Sequence, residues 1–250
     1  MIKLACPCCF KELDTNLQCT CGFFGTIENG VYHLHRSDVS WVSCLQQNTA
    51  SKKAANGTLP IAGSCCSERD VERSKVVHEK LQNVFIDHCP RKVGVFLELG
   101  AVDLGNANYL LTKGWSGFLL NIEEENLPQS TSVLTSVVGD GYFLPFSDCQ
   151  FDLVFDRSSL HHFERLSDIL FQVHRVLKPR GVYLSVGNPA CLEKDIEAAK
   201  GRKEMYMKEY GLIETMPTKA EYEKNFMSVF GNFQWCPILD NSLMRSERRG

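Results

Sequence analysis

The chain has 250 residues, 27 basic and 30 acidic side chains and a net charge of −3, and 44% of it is hydrophobic. That length allows one to two domains with a real core, and the weak negative charge argues against a dedicated nucleic-acid coat. Twelve cysteines are too sparse for a small secreted disulfide scaffold, yet five of them (Cys6, Cys8, Cys9, Cys19, Cys21) fall within the first 21 residues, which points to a metal.

Residues 1–36 read as a small module of two cysteine knuckles, Cys6-Pro-Cys-Cys9 and Cys19-Thr-Cys21-Gly22. A hairpin follows from Thr26 to Leu34, with Asn29-Gly30 as its turn. Cys6, Cys9, Cys19 and Cys21 form the expected ligand set, with Cys8 or His33 as substitutes. The second pair has a single intervening residue, where zinc ribbons usually have two. Four cysteines leave no open coordination position, so the expected zinc is structural. No apolar run of signal length precedes the cluster, and thiolate ligands need a reducing compartment, so the expected location is cytoplasmic. The sequence offers no membrane-spanning stretch either.

Residues 37–66 read as a linker, rich in Ser, Ala, Asn, Gly and Lys over 44–66, and residues 67–250 as the main domain. Ser67-Glu-Arg-Asp70 is a helix start. Val77, Leu81, Val84, Phe85 and His88 give that helix an apolar stripe, and Pro90 ends it. From Val93 the pattern alternates. Strands are predicted at Val93–Gly100, Gly117–Ile122, Val133–Val138, Phe151–Phe155 and Gly181–Val186. Helices are predicted at Asn106–Lys113, Leu166–Leu177, 193–210 and 218–230. The alternation implies an α/β protein with a doubly wound, mostly parallel, Rossmann-like sheet and a ligand at the strand C-terminal ends. Phe233–Leu239 reads as one last strand, and no complete closing hairpin is legible.

Three features converge on that sheet edge. Glu98-Leu-Gly100-Ala-Val-Asp-Leu-Gly105 is a glycine-containing turn from the first strand into the first helix, where backbone can approach a ligand. The second strand ends at Asn121-Ile-Glu123, where a dinucleotide-type site reads a ribose. Asp140, after the third strand, can accept a hydrogen bond from an adenine amino group.

Residues 93–187 resemble a class I S-adenosylmethionine-dependent methyltransferase. The resemblance is carried by Glu98-Leu-Gly-Ala101, Gly139-Asp-Gly-Tyr-Phe-Leu-Pro-Phe146, Phe151-Asp-Leu-Val154, Leu160-His-His-Phe163, and Arg175-Val-Leu-Lys-Pro179 with Gly181. The N-terminal module is similar to the zinc ribbon that precedes this domain in some bacterial methyltransferases, certain ribosomal RNA guanine methyltransferases among them. The resemblance implies that the turn carrying Glu98, Gly100, Ala101 and Gly105 approaches the cofactor, Glu98 and Gly100 at its methionine end. It places Asn121 at the ribose position, Asp140 and Gly141 at adenine, and Arg157 and Ser158 along the methionine, facing the acceptor. Val102 stands where the family has glycine, Asn121 where it has an acid, and Arg180 where a Pro-Gly-Gly turn has its first glycine, the last at little expected cost. Glu123 or Glu124 could compensate for Asn121.

His161 and His162 are weak candidates for a general base, because methyl transfer from a sulfonium depends mainly on alignment. The expected activity is methyl transfer to a small-molecule or biosynthetic acceptor, with S-adenosylmethionine and structural zinc as cofactors. One alternative is RNA methylation, with basic clusters confined to Lys200–Lys203 and Arg245–Arg249. The other is a non-catalytic scaffold, suggested by Val102 and Asn121 together.

Overall fold

The apolar runs after Val93 carry large side chains toward both faces, as strands covered on both sides must. The computed structural model describes residues 2–36, 92–101, 104–210, 213, 215–238 and 241–248. The expected linker, the Ser67 helix, Val102 and Asp103 lie outside the described residues.

The strands are β1 Thr26–Glu28, β2 Val31–His33, β3 Val95–Leu99, β4 Ser116–Asn121, β5 Leu134–Val138, β6 Phe151–Arg157, β7 Leu177–Val186, β8 Gln234–Ile238 and β9 Asn241–Glu247. The helices are α1 Gly105–Thr112, α2 Leu166–Val176, α3 Ile196–Tyr210 and α4 Lys219–Phe230. All the strands join one sheet in the order β1-β2-β5-β4-β3-β6-β7-β9-β8. The pairs from β2 through β7 are parallel, and β1, β9 and β8 pair antiparallel. No helix of the described residues is long and apolar enough to cross a membrane.

The sheet settles two expectations. The α/β, doubly wound, mostly parallel architecture is present, with β3 flanked by β4 and β6, so the winding reverses at the C-terminal ends of β3 and β6. The closing hairpin, which the sequence did not reveal, exists: β9 inserts between β7 and β8, pairing Val182 with Glu247 and Trp235 with Met244. Its buried described side chains are Met244 and Ser246, too little apolar alternation to announce a strand. Pro237 is tolerated because β8 is the sheet edge.

Two cores flank the sheet. One gathers Phe146, Phe151, Val173, Tyr183, Phe226 and Phe230 with α2 and α4, and the other gathers Phe96, Leu110, Trp115, Phe155 and Leu184 around α1. Cys6, Leu13 and Leu34 belong to the first core, so the N-terminal module shares the domain's interior as well as its sheet. Arg180 adopts φ 66°, a left-handed conformation that glycine reaches freely and arginine at about 1 kcal/mol. The glycine of the Pro-Gly-Gly turn thus has a backbone reason. Arg180 holds the conformation by donating its N–H to Arg248 O at 2.7 Å.

Candidate functional site

The glycine turn leaves β3 at the switch point. Gly100 has φ 65°, and a Cβ there would stand 2.2 Å from Ser159 Oγ, so both backbone and space demand glycine. The N–H groups of Gly100 and Ala101 both donate to Leu120 O, at 2.8 and 3.2 Å, fastening the turn to β4. Glu98, 4% exposed, lies inside the end of β3. Gly105 opens α1 behind Leu104, which supplies no side-chain cap.

Asn121 is at the end of β4, as expected, but its side chain faces inward. Nδ2 donates to Ala101 O at 2.6 Å, and Oδ1 accepts from Glu123 N at 3.1 Å. It is a brace for the glycine turn. Just beyond it, Glu123 has its Oε1 buried without a hydrogen-bond partner among the described residues. Burial, and secondarily the neighbouring Glu125 charge, pushes its pKa up to about 7. Because this carboxyl keeps its proton to about pH 7 when folded, against an ordinary value of 4.5, the fold loses stability as pH rises across that window. The melting midpoint of the native chain relative to Glu123→Gln is therefore expected to fall between pH 4.5 and 7. A constant difference across that window would mean a solvated carboxyl.

Asp140, 5% exposed, caps the turn that follows β5 by accepting Tyr142 N at 2.9 Å. Gly141 lies under Phe163, whose ring would be 2.7 Å from a Cβ. Tyr142 meets Phe163 edge-to-face and accepts Arg165 N at 3.1 Å, so the wall beside Gly141 is braced and aromatic. Arg157 ends β6. Ser158 follows at φ 54° and donates from Oγ to Gly187 O at 3.1 Å.

Sequence reasoning missed the buried network behind these residues. Asp156, 2% exposed, accepts Asn188 Nδ2 at 2.8 Å, Tyr183 OH at 2.8 Å, Ser159 N at 3.3 Å and Leu160 N at 3.2 Å. Burial raises the Asp156 pKa, while its donors oppose the rise. Because Asn188 spends its nitrogen on Asp156 and Ser185, its oxygen faces His161 and accepts Nδ1–H at 2.9 Å and the backbone N–H at 3.1 Å. His161 is thereby fixed as the neutral Nδ1–H tautomer. Burial, and secondarily the adjacent His162, lowers its pKa to about 4. It is too weakly basic to be poised near neutrality. His162 Nδ1 pairs with Ile213 O at 2.8 Å.

In the N-terminal module, the sulfurs of Cys6, Cys9, Cys19 and Cys21 all lie within 4.8 Å of one another. Cys6–Cys21 and Cys9–Cys19 are each 3.5 Å apart. A tetrahedral thiolate site with bonds of about 2.3 Å needs sulfurs about 3.8 Å apart, so the donor set suits zinc. Cys8 N–H points to Cys6 Sγ at 3.3 Å, orienting the first knuckle. Gly22, at φ 92°, returns its N–H to Cys19 O at 3.0 Å, which lets the short second knuckle present both thiols. Cys8 and His33 lie outside this set.

A doubly wound sheet with a glycine turn at its switch point and an acid after each of β4 and β5 is the architecture on which ligands sit at the strand C-terminal ends. The methyltransferase-domain family matches residues 97–185, and that span supports a class I S-adenosylmethionine-dependent methyltransferase domain. A human relative, "Arginine-hydroxylase NDUFAF5, mitochondrial", is 36% identical over 99 residues, 38% of this chain and 29% of the relative. The "Ubiquinone/menaquinone biosynthesis C-methyltransferase UbiE" of Blochmanniella pennsylvanica is 33% identical over 84 residues, 32% of this chain and 33% of its own. The chain thus matches about a third or less of the length of these curated relatives. Burkholderia thailandensis 1,6-didemethyltoxoflavin-N1-methyltransferase, solved with its substrate and S-adenosylhomocysteine, has the same fold at a TM-score of 0.55 and 15% identity, over 83% of this chain and 89% of that one.

Proposed function

We propose that this chain transfers a methyl group from S-adenosylmethionine to a small-molecule or biosynthetic acceptor. The observation that carries the reading is the row of adjacent strand ends. Leu99 of β3 is in register with Leu120 of β4 and Asp156 of β6, and Asn121 with Val138 of β5. This register supports a reading in which the glycine turn, Glu123, Asp140 and Ser158 share the C-terminal edge of the sheet. The bound cofactor would supply an activated methyl on a sulfonium, whose loss to a nucleophile leaves a neutral thioether. The chain's own part is alignment. Gly100 and Ala101 would give close backbone approach to the methionine end, Glu123 would accept the ribose hydroxyls, and Asp140 with Gly141 would hold adenine. Arg157 and Ser158 would border the acceptor. Cys6, Cys9, Cys19 and Cys21 would hold structural zinc.

A small acceptor is favoured over RNA because the described cations of the two basic clusters pair within the chain. Lys200 pairs with Glu197 and Lys203 with Glu164, each at 2.7 Å, and Arg248 donates to the carbonyls of His174, Arg175 and Leu177. The name of the bacterial relative also describes a small biosynthetic acceptor. Because the human relative's name describes hydroxylation, methyl transfer is to be read directly, as label passed from methyl-labelled cofactor.

Calorimetry with S-adenosylmethionine and S-adenosylhomocysteine tests the cofactor site. Both should bind, and Asp140→Ala should weaken them by at least about 1 kcal/mol, roughly fivefold. An absence of binding at millimolar ligand overturns the reading. Unchanged affinity in Asp140→Ala would move adenine elsewhere.

A further inference from the structure

The N-terminal module reaches the cofactor crevice. β2 lies parallel on β5, Tyr32 beside Val137 and His33 beside Val138, and Leu34 N–H donates to Val138 O at 2.9 Å. Two residues past that register point the domain places Asp140. From β2 onward the module touches both turns that flank the site. His33 Nε2 is 3.5 Å from Glu124 Oε2, in the turn just after Glu123, and the Arg36 guanidinium stands 4.5 Å from the centre of the Phe143 ring. The module's first segment grips the far end of the same loop. Ala5 N–H donates to Pro145 O and Ser147 N–H to Lys3 O, both at 3.0 Å.

The thiol cluster adjoins both grips. Cys6 follows Ala5 directly and is fully buried in the shared core. Beyond the second knuckle, Gly25 bonds back to Leu17 O at 2.9 Å, and a Cβ on Gly25 would lie 2.5 Å from Leu34 Cδ2 and 3.0 Å from His33 O. The backbone leaving the second knuckle is thus packed closely against His33 and Leu34. His33 thus faces the middle of a run of three glutamates, Glu123, Glu124 and Glu125.

We propose that the N-terminal module regulates the cofactor site in cis: metal loading of Cys6, Cys9, Cys19 and Cys21 fixes β2 on β5, and through His33 it holds the Glu123–Glu124 turn in its binding geometry. The inference rests on the cofactor and zinc readings above. Coupling of this kind is reciprocal: if zinc tightens the cofactor, the cofactor tightens zinc by the same factor.

The test uses the full chain, zinc-loaded, zinc-stripped and reloaded, with S-adenosylhomocysteine affinity read by calorimetry and zinc affinity by chelator competition. Stripping should weaken S-adenosylhomocysteine about tenfold or more, reloading should restore it, and saturating S-adenosylhomocysteine should raise zinc affinity by the matching factor. Because stripping can unfold the chain, His33→Gln is the deciding variant. It should bind one zinc as the native chain does, yet bind S-adenosylhomocysteine several-fold more weakly and show a smaller reciprocal factor. Equal S-adenosylhomocysteine affinity in loaded and stripped folded chain, or an unaltered affinity and factor in His33→Gln, overturns the coupling and leaves the cofactor reading intact. A loaded chain that binds no S-adenosylhomocysteine overturns the cofactor reading and the coupling with it.

Discussion

Asp156→Ala is expected to cost about 3–5 kcal/mol of folding free energy, read from urea unfolding with an unchanged slope. The carboxyl is the common acceptor for Tyr183 OH, Asn188 Nδ2 and the N–H groups of Ser159 and Leu160. Alanine leaves these donors facing a dry space, and each buried donor without a partner costs about 1–3 kcal/mol before relaxation. The damage does not stay local. Asn188 turns its oxygen to His161 only because its nitrogen is held by Asp156 and Ser185, so the 159–163 turn loses its anchor as well. Cofactor affinity should therefore fall together with stability. Asp156→Asn keeps one acceptor oxygen and should lie between the two. A loss below about 1 kcal/mol for Asp156→Ala would show that water replaces the carboxyl.

Gly100→Ala should lower stability by about 2–4 kcal/mol, combining left-handed backbone strain with overpacking, and should weaken S-adenosylhomocysteine at least about tenfold. The added Cβ would sit 2.2 Å from Ser159 Oγ and 2.7 Å from Ser159 Cβ. Something must move, and both candidates border the crevice. Ser159→Gly in the same chain removes both contacts, so the double variant should recover the steric part and retain a residual cost near 1 kcal/mol from φ. Simple additivity of the two substitutions would mean that the clash is relieved by another route.

Much of this arrangement is legible in the sequence, and the reasons separate cleanly. Strands buried on both faces announce themselves as apolar runs, so β3 to β7 are readable, and Gly100 is readable because such a run ends on it. The same continuity hides Asp156: within Phe151–Phe155 and the residues just after, nothing distinguishes a polar hub from a strand end. Asn121 illustrates another limit. An amide at a strand end reads alike whether it faces a ligand or Ala101 O, and geometry alone shows that its donor and acceptor are already in use. The four thiols were identifiable despite their uneven spacing, because a glycine-assisted turn can close a one-residue gap. The pairing of β2 with β5 was not, since a strand of three residues carries too little pattern to fix a partner.

That pairing also orders events in time. β2 and the strand it joins are separated by roughly one hundred residues, and the second grip on the module comes from Pro145 and Ser147. During synthesis the cysteines leave the ribosome long before their docking surface exists. Until the rest of the sheet is made, the four cysteines of the nascent module have no docking surface on the domain. If the module holds zinc as proposed, the ion can enter at that early stage or after β5 and the 145–147 loop have formed.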